Sequence, residues 1–228
     1  MVLRTATKIR RPRRSTRKTE QIPTPAIRRL SLYLRQLEVV LGSERRTVSS
    51  RQLGEALGLS DAQVRKDLAY FGQFGHPGIG YRVDELIQRV RRILGTDKNW
   101  NVLLVGAGNL GRALMSYRGF AKKGFHIAAV FDTDRELIGK RVDAAQKLTV
   151  QPMEEMAATI VKRSIQLGVL AVPADSAQKV ADRMVEAGIR GILNFAPITL
   201  RQDVCAMAAV DLSVHLEQLS FQLRGAGA

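Results

Sequence analysis

The chain has 228 residues, 45% hydrophobic and 25% charged, an ordinary globular composition long enough to bury a core without disulfide staples. Its single cysteine, Cys205, excludes an internal disulfide framework and a cysteine-based zinc site, and His76, His126 and His215 lie too far apart in sequence to suggest a metal centre. The unusual feature is charge: 36 Lys+Arg against 21 Asp+Glu, net +15. With no apolar run of membrane-spanning length and no apolar segment behind the basic N-terminus, the expectation is a cytoplasmic protein with a polyanion-facing part, no membrane and no metal.

The charge is uneven. Residues 1–98 hold 21 basic and 9 acidic residues, residues 99–228 hold 15 and 12, so a basic binding module is expected ahead of a nearly neutral one. Residues 1–22 form a basic tail with no means of packing, expected to be disordered; it either grips phosphates without specificity or is simply solvated.

The first module is expected over residues 23–98. Pro25 opens a helix on which Ile27, Leu30, Leu34, Leu37 and Leu41 make one apolar stripe, ending near Gly42. Ser49 or Ser50 caps a second helix that turns Leu53 and Leu57 inward, with Gly54 small where helices press together and Gly58 in the turn. Ser60 and Gln63 form a capping-box pattern for a third helix. That helix buries Val64, Leu68 and Phe71 and exposes Gln63, Arg65, Lys66, Ala69 and Tyr70.

Two short helices about a glycine turn make a helix-turn-helix, placed at about residues 33–72. Ser60, Gln63, Arg65, Lys66 and Tyr70 are the chemistry for base edges and phosphates. The alternative is a three-helix bundle with a solvated basic face. The glycines at 72, 75, 78 and 80 predict the tip of a hairpin, making a winged helix from which Arg82 and His76 touch the DNA backbone. Asp84 then caps a helix carrying Leu86, Ile87, Val90, Ile93 and Leu94.

The second module, residues 99–211, starts with a strand over Asn101–Val105 that runs into Gly106-Ala107-Gly108-Asn109-Leu110-Gly111 and a helix. This is G-x-G-x-x-G between strand and helix, the phosphate-cradling turn of a dinucleotide fold. A second strand from His126 ends in Asp132, 21 residues beyond Gly111, where a carboxylate accepts the ribose hydroxyls of NAD and repels a 2′-phosphate. The alternative is a structural loop with a chance acid.

Further strands are predicted at 148–150, 166–172 and 191–196, with helices at about 152–162 and 175–187, the alternation of a Rossmann-type doubly wound α/β sheet. Val172, Pro173, Asn194 and Pro197 fall at carboxyl ends of strands, either lining a cofactor or forming plain exits. Residues 212–228 carry a last helix with Leu212, Leu216, Leu219 and Leu223 on one side. It is expected either to dimerise, exchanged between subunits, or to dock on its own sheet.

The chain has no second substrate domain and no convincing acid or base at the strand ends, so the dinucleotide reads better as a signal than as a reagent. The competing readings are a small NAD-dependent oxidoreductase with a basic appendage and a coenzyme A-binding module. Gln63-Val-Arg-Lys-Asp-Leu68, Tyr70-Phe71-Gly72, Gly78-Ile-Gly-Tyr81, the glycine loop and Gly191-Ile-Leu-Asn-Phe-Ala-Pro197 together resemble the Rex family of redox-sensing transcriptional repressors, over about residues 23–224. That resemblance implies a homodimer that binds inverted-repeat operator double-stranded DNA when NADH is low relative to NAD+, and is released by NADH. It implies a swapped C-terminal helix. It also implies a switch in which Asp211 pairs with Arg35 in one state and with Tyr117 in the other. Leu212 stands where the family can carry an aromatic residue.

Overall fold

The computed structural model describes residues 22–43, 45–75, 78–143, 148–201 and 203–225. The readings placed on residues 1–21 and on His76 lie outside them. The chain divides between Gly95 and Thr96 into two compact units.

The first unit is helical with one small ladder. Helix α1 (Thr24–Gly42) starts on Pro23 and is followed by strand β1 (Thr47–Val48), α2 (Ser50–Leu57), α3 (Asp61–Ala69), β2 (Tyr81–Arg82) and α4 (Val83–Leu94). Its core joins Leu30, Tyr33, Leu34 and Leu37 of α1 to Leu53, Val64, Leu68, Leu86, Ile87 and Val90. The buried stripe of α1 is Ala26, Leu30, Tyr33, Leu34 and Leu37, whereas Ile27 and Leu41 are exposed. Spacings of 4, 7, 8 and 11 from Ala26 stay on one face; Ile27 lies beyond its edge, and Leu41, though on that face, stands exposed in the last turn of the helix.

Ser49 caps α2, with the full reciprocal box: Gln52 N–H donates to its hydroxyl and Gln52 Oε1 accepts from its N–H. Only half of the box expected on α3 forms. Gln63 N–H donates to Ser60 Oγ, but the Gln63 side chain turns instead to Asp67. Gly54 meets the turn between α2 and α3, where a Cβ would lie 2.4 Å from the Leu59 carbonyl oxygen, and Gly58 takes the left-handed conformation that ends α2. The wing differs from a local hairpin: Tyr81–Arg82 pairs antiparallel with Thr47–Val48, ahead of α2, so the ladder ties both flanks of the helix-turn-helix together. Because Arg82 is extended in that ladder, it precedes α4 directly, and Asp84 stands in the first turn rather than at the cap.

The second unit is a doubly wound sheet. Its strands are β3 (Trp100–Val105), β4 (Phe125–Asp132), β5 (Arg141–Asp143), β6 (Leu148–Pro152), β7 (Leu167–Leu170), β8 (Gly191–Asn194) and β9 (Ala206–Ala209). The spatial order is β5-β6-β4-β3-β7-β8-β9, parallel throughout except for β5. Helices α5 (Asn109–Ser116), α6 (Arg118–Lys122), α7 (Met156–Lys162) and α8 (Ala174–Glu186) connect them, and α9 (Leu212–Gly225) closes the chain.

The predicted strands ending at Val172 and Ala196 stop earlier, at Leu170 and Asn194, because Pro173 and the turn held by Asn194 end the ladders. Strand order reverses between β3 and β7, which opens a crevice at their carboxyl ends. One face packs α7 and α8 through Met156, Ile160, Ala177, Ala181 and Met184. No helix among the described residues is long and apolar enough to cross a membrane.

Candidate functional site

In the first unit, the outward face of α3 carries Arg65, Lys66, Ala69 and Tyr70, all exposed, with Ser60 exposed at its N-terminus. Arg65 reaches across the helix-turn-helix: its Nη1 donates to Asp61 Oδ2 at 2.6 Å and to Ser50 Oγ at 3.2 Å. The guanidinium beside Asp61 holds that carboxyl below its ordinary value. Pairs this exposed hold weakly, so Arg65 is free to exchange Asp61 for a phosphate or a guanine edge. Arg82, at the end of the ladder, is exposed and paired to Asp84 and Glu85 at 3.3 and 3.2 Å.

Gln63 is only half exposed, and its Nε2 donates inward to Asp67 Oδ1 at 2.8 Å. Asp67 itself is wholly buried. It accepts from Arg29 Nε (2.5 Å), Arg29 Nη2 (2.7 Å) and Tyr33 Oη (2.7 Å) as well. Burial pushes its carboxyl up, but the Arg29, Tyr33 and Gln63 hydrogen bonds outweigh this and hold it below its ordinary value. Burial, then the neighbouring carboxylate, pushes the Tyr33 hydroxyl up. Asp67 escaped the sequence reading because it stands beside Val64 and Leu68 in an ordinary polar run. The usable signal was an acid on an apolar helical face, with an Arg and a Tyr four residues apart on the neighbouring helix.

In the second unit, the glycine loop spans from β3 to α5. Gly106 has φ +100°, and a Cβ there would lie 2.3 Å from the Ala171 carbonyl oxygen. A Cβ on Gly111 would lie 1.9 Å from the Gly106 carbonyl oxygen, so helix and loop touch at that point. Gly108 meets nothing within 4 Å, so its smallness serves whatever approaches from outside. No side chain caps the N-terminus of α5, leaving its first amides and partial positive charge for an anion. Ala107 is buried, while Asn109 and Leu110 are exposed; Asn109 Oδ1 accepts from Arg112.

Asp132 lies opposite. Its Oδ2 accepts from Ala107 N–H at 2.6 Å, and its Oδ1 accepts from Thr133 and Asp134 N–H at 2.7 and 2.9 Å. Three backbone donors fix the carboxylate and leave it about one further acceptor position, fewer than two ribose hydroxyls require. Gly106, Gly108, Asp132, Val172 and Pro173 meet around one cleft of ≈ 270 Å³. Loop, uncapped helix, fixed carboxylate and cleft together fit an adenine dinucleotide: pyrophosphate over Gly108, one ribose at Asp132.

Asn194 is buried and spends its amide on the loop it begins, donating to Ala196 and Ile198 carbonyls and accepting from Ala196 N–H. It shapes the exit that leaves Pro197 exposed. Tyr117 is 59% exposed, at an extended break between α5 and α6. Its ring lies edge-on to Phe120 and over Gly119, where a Cβ would come 2.3 Å from it. Asp211 Oδ1 accepts from Ser213 N–H and Oγ and from Val214 N–H, capping the first turn of α9; these bonds, the Ser213 hydroxyl first, hold its carboxyl low. Arg35 is exposed on α1. Among the described residues, no group of three or more His, Cys, Asp or Glu is placed to hold a metal.

Comparison with known proteins matches both units. A family model described as "CoA binding domain" matches residues 97–198, and one described as "Putative DNA-binding protein N-terminus" matches residues 21–69. The redox-sensing transcriptional repressor Rex of Carboxydothermus hydrogenoformans is 47% identical, over 90% of this chain and 97% of that protein. The Rex repressor of Pelotomaculum thermopropionicum is 48% identical, over 90% and 96%. Among solved structures, RSP in complex with β-NAD+ and operator DNA aligns with TM-score 0.85 and 39% identity, over 90% of this chain and 94% of that one. RSP in complex with β-NADH aligns with TM-score 0.81 and 37% identity, over 90% and 96%.

Proposed function

The chain belongs to the Rex family of redox-sensing transcriptional repressors, and from that premise we propose how its own residues read DNA and sense NADH. It is a DNA-binding repressor, not an enzyme, and its regulatory ligand is NADH or NAD+. The observation that carries the residue-level reading is the pairing, in one chain, of an exposed Arg65–Lys66 face on α3 with a glycine loop fixed to Asp132. Arg65, Lys66 and Tyr70 enter the major groove. Ser60 and Arg82 grip phosphates beside it.

The nucleotide lies across Gly106–Gly111, with Val172 and Pro173 along its path. Asp132, held by the Ala107 amide, takes one ribose hydroxyl. A phosphate on that ribose, as in NADP or coenzyme A, would meet the Asp132 carboxylate, with Asp134 two residues on.

A helix-turn-helix reader of an inverted repeat works as a dimer, and α9 suits the second contact. Leu212, Val214, Leu216, Leu219, Phe221 and Leu223 are between 43% and 79% exposed on it. A hollow of ≈ 560 Å³ on the sheet, lined by Phe120, Ile127, Val169, Leu193 and Ala208 among others, is equally apolar. Each such side chain buried is worth about 1.5–3 kcal/mol. Exchange of α9 between two subunits satisfies both surfaces.

Asp211 sits at the root of that helix. A carboxylate that leaves Arg35 for Tyr117 there also alters the cap of α9, which gives the dimer two states. A cytoplasmic location is supported by the repressor's work on the chromosome.

The test is a gel shift on the inverted repeat that the wild-type chain selects from random DNA. NADH releases the DNA at lower concentration than NAD+, and coenzyme A does not release it. Release by coenzyme A alone, or by no nucleotide, overturns the reading.

A further inference from the structure

The DNA-reading unit buries an acid, Asp67, behind its exposed cations. Asp67 stands on the inward face of α3, where Val64 and Leu68 pack into the core. An apolar residue would fit that face without desolvating a charge, and buried ion pairs are often no more stabilising than apolar replacements of the same volume. Stability therefore explains Asp67 poorly; geometry explains it better. Its two oxygens accept four hydrogen bonds: a two-pronged contact from Arg29, one from Tyr33 and one from Gln63. Arg29 and Tyr33 lie one turn apart on α1, so three of the four bonds cross from one helix to the other.

The other core residues on the two helices, Leu30, Leu34 and Leu37 on α1 with Val64 and Leu68 on α3, are apolar, and apolar burial is non-directional. It tolerates a small rotation of α3 about its axis; a forked guanidinium on a carboxylate does not. With side chains reaching about 5–6 Å from a helix axis, a rotation of about 10° moves the reading atoms by about 1 Å, beyond the roughly 0.5 Å tolerance of a working site. Arg65 and Lys66 are the two residues immediately before Asp67, so its rotation is theirs. Gln63, read from sequence as a base contact, belongs to this clamp through its amide.

We propose that Asp67 is a positioning residue for operator recognition: held by Arg29, Tyr33 and Gln63, it sets the rotation of α3 and with it the register in which Arg65 and Lys66 meet the bases. The proposal rests on α3 being the reading helix. It predicts that loss of the clamp lowers specificity while leaving the charge-driven affinity for any DNA in place, since the exposed cations are untouched.

The experiment compares the full-length chain with Asp67→Leu/Arg29→Met, which replaces the ion pair by apolar groups, and with Tyr33→Phe, which removes one bond and no packing. Affinity for the selected operator and for random-sequence DNA is measured at one salt concentration, alongside the thermal midpoint. The double variant is expected to keep its affinity for random DNA within about twofold and to lose at least tenfold in the operator-to-random ratio. Repeated selection with it should return a relaxed sequence. Tyr33→Phe, at an unchanged midpoint, should lose a smaller part of the ratio.

A wild-type ratio in both variants overturns the clamp, and so does an unchanged ratio in Tyr33→Phe if the double variant fails to fold. A wild-type chain without preference for any sequence overturns the DNA-reading assignment itself, which separates the two failures.

Discussion

The DNA-reading unit and the nucleotide unit fix their working surfaces by opposite means. In the first, side chains hold side chains: Asp67 gathers Arg29, Tyr33 and Gln63, and Arg65 leans on Asp61 and Ser50. In the second, backbone meets backbone: Gly111 lies against the Gly106 carbonyl, Gly106 against the Ala171 carbonyl, and the one key side chain, Asp132, is held by three amides. The difference suits the two ligands. A DNA sequence is read by side chains at base edges, which need a set rotation. A pyrophosphate is bound by amides, which need close approach and no Cβ.

The contrast is broken most forcefully within the glycine loop. Gly111→Ala places a Cβ 1.9 Å from a carbonyl oxygen that cannot swing aside. It should destabilise the nucleotide unit by at least the 1–3 kcal/mol typical of overpacking, seen as a lower thermal midpoint and weak NADH binding. Gly108→Ala meets nothing within 4 Å. It should leave the midpoint unchanged and still weaken NADH, because its methyl group intrudes only on the ligand. Equal midpoints for the two variants would erase the distinction between packing and ligand glycines.

A crossed pair of substitutions sharpens the division of labour. Arg65→Ala should cost about 1–3 kcal/mol in operator affinity with NADH affinity unchanged. Asp132→Ala should cost about 1.5–3 kcal/mol in NADH affinity, the worth of a hydrogen bond to a charged group, with operator affinity in the absence of nucleotide unchanged. Anisotropy of labelled operator and quenching or enhancement of NADH fluorescence read the two affinities on the same preparations. Loss of both by either variant would mean that the residue holds the fold.

The same contrast explains what the sequence disclosed. The glycine loop and Asp132 were legible because their chemistry depends on absent side chains and one acid at a fixed distance along the chain. The helices of the reading unit were legible from caps and apolar spacing. The clamp was not read, because the α1 partners of Asp67 lie 34 and 38 residues away and spacing along the chain does not bring them to it. Strand β9 was missed for a different reason. Ala206-Met-Ala-Ala209 has neither β-branched residues nor a period of two, and it joins the sheet only because β8 offers an open parallel edge. The wing ladder pairs Thr47 with Arg82 and Val48 with Tyr81, far beyond the reach of any local turn pattern.

Sensing requires that the two units be coupled, and coupling is reciprocal. The direct measurement is the dissociation constant of NADH for the full-length chain, with and without saturating operator. Operator should weaken NADH by the same factor by which NADH weakens operator, on the order of 5- to 150-fold for a coupling of ordinary size. An NADH affinity indifferent to operator would contradict it.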